Sequence, residues 1–533
     1  MNLDLHSIQR PGLLGHFFAL VCGALIPFSF EPYNLWPLQI VAISLFYFSI
    51  KDLSSRQAMW RGWWLGLGLF ASGVSWVYVS IHDFSNTPAP LAALMTLLFV
   101  MGLAWFFAFM TMFYQYFFAD KKLTYLSFAA VWILFEWSRS WFLSGFPWLF
   151  LGDAHINSSL KGFAPVFGVY SIGFIITLMS AYIVDAYNKA ISSNSGSHNF
   201  KNIMKNVAPI LLAPWVVGAF LSIFEWTEKQ ADVQVVAIQG NIPQERKWLP
   251  EEIYPTLEKY RSASEKNWDA DVILWPETAI TVLHHQAKEY MKYLNDEGKK
   301  TNTALITGIP YQQGKTEAKP GRYHNSIVGL GDASGLYHKN KLVPFGEYMP
   351  LPDSWRPLLS FFNIPMSQFV GGQLQQDPIV VNAENLQYNI APFVCYDVVY
   401  PDYVAAQSKD SGMIITISND AWFGLSNGPL QHLGIVKMRA VENGRYILRS
   451  TNTGVTALID NRGQVVDQLP QMEFGVLRAK AEIRTGNTPF NIWGSWPILL
   501  FCFVLLTVIT LKGRGAEKGP DQKKGRSPET QPE

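Results

Sequence analysis

Seven apolar stretches crowd the first 225 residues, at about 12–30, 35–50, 58–80, 91–118, 124–143, 163–186 and 207–224, and an eighth lies at 496–512. Most approach the roughly 20 residues needed to cross about 30 Å of hydrocarbon. Such a chain has few options, because in lipid every backbone polar group must be satisfied within the protein, and a helix does this segment by segment. Buried core helices of a soluble protein would explain neither their number nor the charge bias between them. Composition carries the same split. Only 16% of the 533 residues are charged, against about 25% in soluble domains, yet mean hydropathy is only +0.10. A net charge of +1 removes the electrostatic case for a nucleic-acid partner. High apolar content with almost no net charge excludes disorder for the chain as a whole. The first stretch lacks a small-residue cleavage site and reads as a retained span.

Lys and Arg fix the expected orientation. Alternate segments carry Arg10, then Lys51, Arg56 and Arg61, then Lys121 and Lys122, then Lys189, Lys201 and Lys205. The tail adds Lys512, Arg514, Lys518, Lys523, Lys524 and Arg526, while the opposite short loops hold only Lys161. The expected organisation is a membrane domain of seven helices over 1–224 and an extracytoplasmic domain over 225–492. An eighth transmembrane helix over 493–512 and a disordered basic cytoplasmic tail over 513–533 complete it. Both termini are then cytoplasmic, and in a bacterium the large domain faces the periplasm. Glu136 and Arg139, three apart in the fifth stretch, read as a structural ion pair more than as a transport path.

Residues 225–492 alternate strand and helix. Strands are expected at 233–242, 271–275, 303–309, 326–330, 336–343, 388–395 and 413–418, with helices near 251–268, 284–297 and 430–443. Helices over sheet faces make this an α/β layered domain, whose site residues lie just beyond strand ends. Three polar residues occupy such places. Glu277 follows a strand as TrpProGlu, Lys339 sits in HisLysAsnLysLeu, and Cys395 closes a strand before TyrAsp. Cys22 and Cys502 fall in spans, so Cys395 is the one thiol of its domain and has no internal disulfide partner. Glu, Lys and Cys together supply a base, a cation and a nucleophile, a complete set for acyl transfer. Singly, each has a bland explanation: a helix N-terminal charge, a solvated lysine, a small buried thiol.

These three blocks, with the GlyGluTyr that follows Lys339, resemble the signatures of the nitrilase, or carbon–nitrogen hydrolase, superfamily. The resemblance implies an αββα sandwich and a Glu277–Lys339–Cys395 triad. The eight-span frame with QGNIPQERKW (239–248), LVPFGEYMP (342–350) and SNDAWFG (418–424) resembles the membrane branch of that superfamily, the apolipoprotein N-acyltransferases of the bacterial inner membrane. Glu347 then matches the additional acidic residue, and Asn325, Tyr396 and Trp248 match supporting or substrate-binding positions. Asp397 stands where that family frequently has Glu. The implied reaction takes the sn-1 acyl chain of a phospholipid, typically phosphatidylethanolamine, onto Cys395 as a thioester. The amine of a diacylglyceryl-cysteine apolipoprotein then receives it. No metal or cofactor is required.

In that chemistry Glu277 takes the thiol proton and later manages that of the amine. Lys339 stabilises thiolate and oxyanion, with Glu347 orienting it or serving as a second acid. A helix expected after Cys395 would add its dipole. Two other classes share parts of this pattern: a membrane-tethered amidase acting on a polar substrate, and a transporter with an inactive nitrilase-like domain. One further feature favours a lipid substrate. The run 354–370 carries Trp355, Phe361 and Phe362 with a single charge, Arg356, between prolines and Gly371–Gly372. It reads as a lipid-facing lid, against the alternative that it fills the domain's own core.

Overall fold

A computed structural model describes residues 6–84, 87–192, 198–314, 321–348, 369–383 and 386–516. Each of the eight apolar stretches holds a helix: Leu13–Leu25, Pro37–Ile50, Ser55–Gly73 with Trp76–Phe84, Ala89–Phe117, Thr124–Ser138, Ala164–Ser192, His198–Leu221 and Trp496–Ala516. By length and apolarity, Ala89–Phe117 and a helix over Ser159–Lys189 suffice to cross a membrane, and the Ser55–Gly73/Trp76–Phe84 pair, bent by 55°, adds a third. The others are shorter apolar helices.

Ser55–Gly73 packs between Leu13–Leu25 and Ala89–Phe117, and glycines let the backbones touch. A Cβ on Gly23 or Gly68 would come within 2.0 Å of a carbonyl oxygen on the facing helix, so only a residue without one fits. Arg61, counted from sequence among the inward-facing charges, is a fully buried helix residue that donates to the carbonyls of Ile8, Ser49 and Arg10. Glu136 and Arg139 lie 3.7 Å apart. Glu136 accepts the Leu151 N–H at 2.7 Å and Arg139 donates to the Trp148 carbonyl, so the pair pins the segment beyond its own helix.

Among the described residues thirteen strands follow: β1 Glu228–Gln239, β2 Val272–Leu274, β3 Ala304–Gln313, β4 Arg322–Gly331, β5 Ala333–Ser334, β6 Leu336–His338, β7 Ile379–Ala383, β8 Leu386–Val394, β9 Met413–Ser418, β10 Ile447–Thr451, β11 Ala457–Ile459, β12 Val465–Gln468 and β13 Gly475–Thr485. They form two sheets, ordered β13-β1-β2-β3-β4-β6 and β12-β11-β10-β9-β8-β7-β5. Alternate residues of the central strands, among them Val235, Leu274 and Ile306 against Ile390, Ile415 and Leu448, build the core between the sheets. The opposite face of the first sheet is covered by the helices Pro250–Glu265 and Lys288–Thr301 through Tyr260, Met291 and Leu294. That of the second is covered by Pro401–Gln407 and Gly428–Asn443, and its core is continuous with the membrane helices.

Two sequence expectations need correction. The strand expected at 336–343 stops at His338, leaving Lys339 just past its end. The helix expected to follow Cys395 is a five-residue 3-10 turn, Cys395–Val399, and α-helix begins only at Pro401. No helix dipole starts at the thiol.

Candidate active site

β2 runs parallel to both neighbours, β1 and β3, and β8, β9 and β10 run parallel in the other sheet. Parallel strands bring their carboxyl ends to one edge, where loops can converge. Glu277 lies beyond β2, Lys339 beyond β6, Cys395 beyond β8 and Asn419 beyond β9.

The ladder next to β2 continues through the Trp275 N–H to the Ile306 carbonyl and then meets Pro276, which has no N–H to give. Glu277 therefore leaves the sheet, yet stays 7% exposed. Its Oε1 accepts from Asn325 Nδ2 at 2.6 Å and its Oε2 from the Asn419 backbone N–H at 2.7 Å. Its own carbonyl accepts from Lys247 Nζ at 2.9 Å. Burial raises its pKa, and Glu347 adds to the rise against the pull of Lys339, Lys247 and Asn325. Such a carboxylate is a better base than a free one.

Lys339 is tied by its N–H to the Asn325 carbonyl at 2.8 Å, so β4 holds both residues. Its ammonium is 1% exposed, 2.8 Å from Glu347 and 4.0 Å from Glu277. Burial works against the charge, but Glu347, Cys395 and Glu277 together keep its pKa above the ordinary lysine value. Glu347 is held in turn by the Val343 N–H at 2.9 Å.

Cys395 has φ +50°, a left-handed conformation that costs a non-glycine residue roughly 1–3 kcal/mol. It turns the chain sharply out of β8 and begins the 3-10 turn. Burial and the Glu277 charge push its thiol up to about 12, against Lys339. The resting group is a thiol, and a base must act before it can attack. Asp397 accepts from Lys341 N–H at 2.7 Å, Val394 N–H at 3.1 Å and the Tyr337 hydroxyl at 2.8 Å. It thereby ties the lysine loop to the cysteine turn, and burial lifts its own pKa to about 6 against Lys339.

Of the supporting residues, Asn325 and Glu347 join the cluster. Tyr396 instead donates to the Gly145 carbonyl at 3.3 Å, on a segment between membrane helices. Trp248 is 40% exposed, next to buried Lys247. Trp355, Phe361 and Phe362 lie outside the described residues. Sequence reasoning missed Lys247, Asn419 and the bridging role of Asp397. A lysine beside a tryptophan reads as solvated, and Asn419 acts through a backbone N–H that any residue carries. Among the described residues, no group of three or more His, Cys, Asp or Glu side chains could hold a metal ion.

Residues 22–182 match the model of the apolipoprotein N-acyltransferase N-terminal domain, and residues 234–486 match that of the carbon-nitrogen hydrolases. Similar proteins include the apolipoprotein N-acyltransferases of Pseudomonas aeruginosa (strain LESB58), 42% identical over 94% of this chain and 96% of that one; Azotobacter vinelandii, 40% over 96% and 98%; and Coxiella burnetii, 40% over 92% and 99%.

Proposed function

The chain belongs to the apolipoprotein N-acyltransferase family, and from that premise we propose that Glu277, Lys339 and Cys395 carry the acyl transfer by which it matures lipoproteins. It is a membrane acyltransferase with a nitrilase-like catalytic domain, a phospholipid donor and a lipoprotein acceptor. The observation that carries the residue assignment is the convergence of three charged or nucleophilic groups from both sheets. Lys339 sits 4.0 Å from Glu277 and is braced by Glu347, at the edge where Cys395 leaves β8.

In the first half-reaction Glu277 takes the Cys395 proton and the sulfur attacks the sn-1 ester carbonyl. Lys339 stabilises the oxyanion as it forms. The tetrahedral intermediate collapses, the lysophospholipid alkoxide leaves with the proton from Glu277, and a thioester remains. In the second half-reaction the α-amine of diacylglyceryl-cysteine attacks that thioester and Glu277 accepts its proton. The thiolate leaves beside Lys339 and is reprotonated. Asn325 and the Asn419 N–H hold both oxygens of Glu277, fixing the base through both halves. Glu347 positions Lys339.

Phosphatidylethanolamine as donor, eight spans, and a periplasmic catalytic domain over 225–492 on the inner membrane extend this reading. Lys and Arg placement supports the orientation. Intact mass of the purified protein after exposure to phosphatidylethanolamine tests the assignment. One acyl chain added, mapped to Cys395, is the expected result; no adduct, or one elsewhere, removes Cys395 as nucleophile. Reporter fusions within 225–492 that are active in the cytoplasm would overturn the orientation.

A further inference from the structure

Asn325 and Asn419 hold the carboxylate of Glu277, but the peptide that aims it is held by a different side chain. Just after Glu277, Thr278 has φ +50°, a left-handed conformation that a β-branched residue adopts only under constraint. β3 presses on this turn, since a Cβ on Gly308 would fall 2.5 Å from the Thr278 nitrogen and 2.7 Å from the Pro276 carbonyl oxygen. The Glu277 carbonyl belongs to the peptide that enters this conformation, and it accepts from Lys247 Nζ at 2.9 Å. Lys247 is 3% exposed, and among the described residues its ammonium enters no ion pair. Burial pushes its pKa down to about 8, against the pull of Glu277. A buried ammonium is costly unless paired, and one bond to a neutral carbonyl offsets little of that cost. An apolar side chain of similar length would serve stability better.

The loop that delivers Lys247 is itself fixed. The N–H groups of Asn241 and Ile242 donate to the backbone and side-chain oxygens of Asn452 at 2.8 and 2.9 Å, and Asn452 Nδ2 returns to the Ile242 carbonyl at 2.8 Å. The N–H groups of Arg246 and Lys247 close a turn on the Pro243 carbonyl at 3.1 and 3.0 Å. Gln244 accepts from Asn419 Nδ2 at 2.7 Å, and the backbone N–H of that same asparagine holds Glu277 Oε2. Residues 240–249 therefore grip Glu277 twice, at its carbonyl through Lys247 and at its carboxylate through Gln244 and Asn419. We propose that Lys247 is the positioning residue of the general base: it fixes the Glu277–Thr278 peptide in its strained orientation, aims the carboxylate at Lys339, and keeps a cation beside it. This assignment deepens the acyl-transfer reading and rests on Glu277 being its base.

Without Lys247 the carbonyl is free to turn and the strained peptide can relax, so the carboxylate loses its aim. It also loses a positive charge that sits on the carbonyl of its own residue. The charged or titratable groups facing Glu277 are Lys247 from the loop after β1, Lys339 and Glu347 from the segment after β6, and Cys395 from the end of β8. The two lysines favour the carboxylate and Glu347 opposes it. Removal of Lys247 leaves the other three in place and tips Glu277 toward its protonated form. The acid limb of the pH profile, where the base is lost by protonation, must then move to higher pH.

The test is thioester formation on Cys395 of the detergent-solubilised full chain from phosphatidylethanolamine in mixed micelles. It is read by intact mass over a pH series and a range of lipid concentrations, with a thermal melt of each variant. Lys247→Met should melt like the parent and form thioester about tenfold more slowly at saturating lipid, the scale of one hydrogen bond to a charged group. Its half-saturating lipid concentration should not change, and its acid limb should lie at higher pH. Lys247→Arg keeps a donor and a cation and should bring the limb back to the parental pH. The position of the limb does not depend on how much of a variant is folded, so it decides even where the melt is lowered. A methionine variant whose rate and limb coincide with the parent's overturns the proposal. So does a slower methionine variant whose limb stays in place, an arginine variant displaced as far as methionine, or an effect confined to half-saturation. Failure of the reading beneath it looks different: Glu277→Gln would then form thioester at the parental rate, whatever Lys247 does.

Discussion

The two helical layers of the sandwich are built from similar residue types and live in different worlds. In the layer over the first sheet, Lys288–Thr301 buries only Met291, Leu294 and Gly298, and Arg261 of the adjacent helix forms partly exposed pairs with Glu258 and Glu265. In the layer over the second sheet, Gly428–Asn443 is buried at every position but Leu430, with Gln431, His432, Lys437, Arg439 and Glu442 among its buried residues. Its polar groups are met from the membrane side. Lys437 pairs with Glu31 at 2.9 Å, Arg439 with Asp153 at 3.1 Å, and Glu442 accepts the Val169 N–H at 2.8 Å. Gln431 takes the indole N–H groups of Trp76 and Trp148 and donates to the Gly73 carbonyl. One layer is a solvated cover. The other is an interface that fastens the catalytic sandwich to the membrane helices, and it underlies the strands that carry Cys395 and Ser418.

The largest effects fall where the two sheets meet, and they concern chemistry without folding. Cys395→Ser should abolish thioester formation, whereas Cys22→Ser and Cys502→Ser, inside the helical region, should leave activity near normal. Glu277→Gln and Lys339→Ala should each lower acyl transfer at least about a hundredfold, the scale of losing a general base or an oxyanion stabiliser. Turnover by Cys395→Ser close to the parent's would sink covalent catalysis. Activity should also fall on the acid side as Glu277 protonates, and because its pKa is raised, that limb should lie above the ordinary carboxylate range. An acid limb at or below that range would mean Glu277 is not the base.

Next in size is the interface. Arg439→Ala leaves Asp153 and Glu442 buried without their cation. Breaking such a set by removing one partner costs about 3–5 kcal/mol. Denaturant unfolding of the detergent-solubilised protein should register that loss, and protease sensitivity should rise first around Gly428–Asn443. A loss no larger than that of a surface charge would make the two layers equivalent after all.

The contrast also marks how far the sequence could be read. Strands ending just before Glu277 and Cys395 are legible because apolar runs stop there at turn-forming or polar residues, and the proposed triad stands out through its motifs. The site shell was not. Asn419 reaches Glu277 from 142 positions away through its backbone, and Asp397 binds two backbone N–H groups and a tyrosine hydroxyl from three places in the chain. The helix at 430–443 is legible from the sequence, but the partners of its charges are not. Period says which residues share a face, and nothing about whether water or Asp153, 286 residues away, covers the other one. β10 to β13 were not anticipated, although Ile447–Thr451 is fully buried, because Arg449 interrupts its apolar pattern. That arginine is the partner of Asp420.

A subtler difference concerns pH. Burial lifts Glu442 to about 8, against the pull of Arg439. A carboxyl whose folded pKa lies above its unfolded value adds stability that is complete below the unfolded value and fades as pH rises through the folded one. The interface layer should therefore loosen between weakly acidic pH and about pH 8. In the outer layer the Arg261 hydrogen bond lowers the Glu258 pKa. That contribution has the opposite sign, present above the unfolded value and lost as pH falls through the lowered one. Hydrogen exchange corrected for its intrinsic rate should show Gly428–Asn443 losing protection with rising pH while Pro250–Glu265 does not. Parallel trends in both helices would remove the distinction.

The smallest effect is expected from Arg261→Ala. Its guanidinium reaches Glu258 and Glu265, three and four residues away on the same helix face, the spacing at which helix ion pairs form. On paper it has two carboxylate partners, as Arg439 does. The side chain is about a third exposed, so water screens each pair and solvates the carboxylates when the arginine is gone. Holding three long side chains in one arrangement also costs rotamer freedom, which offsets much of the remaining attraction. The melting temperature of Arg261→Ala should stay within the scatter of repeat measurements, and acyl transfer should be unchanged. A melt shift comparable to that of Arg439→Ala would show that the count of charge partners, and not their removal from water, sets the strength of each layer.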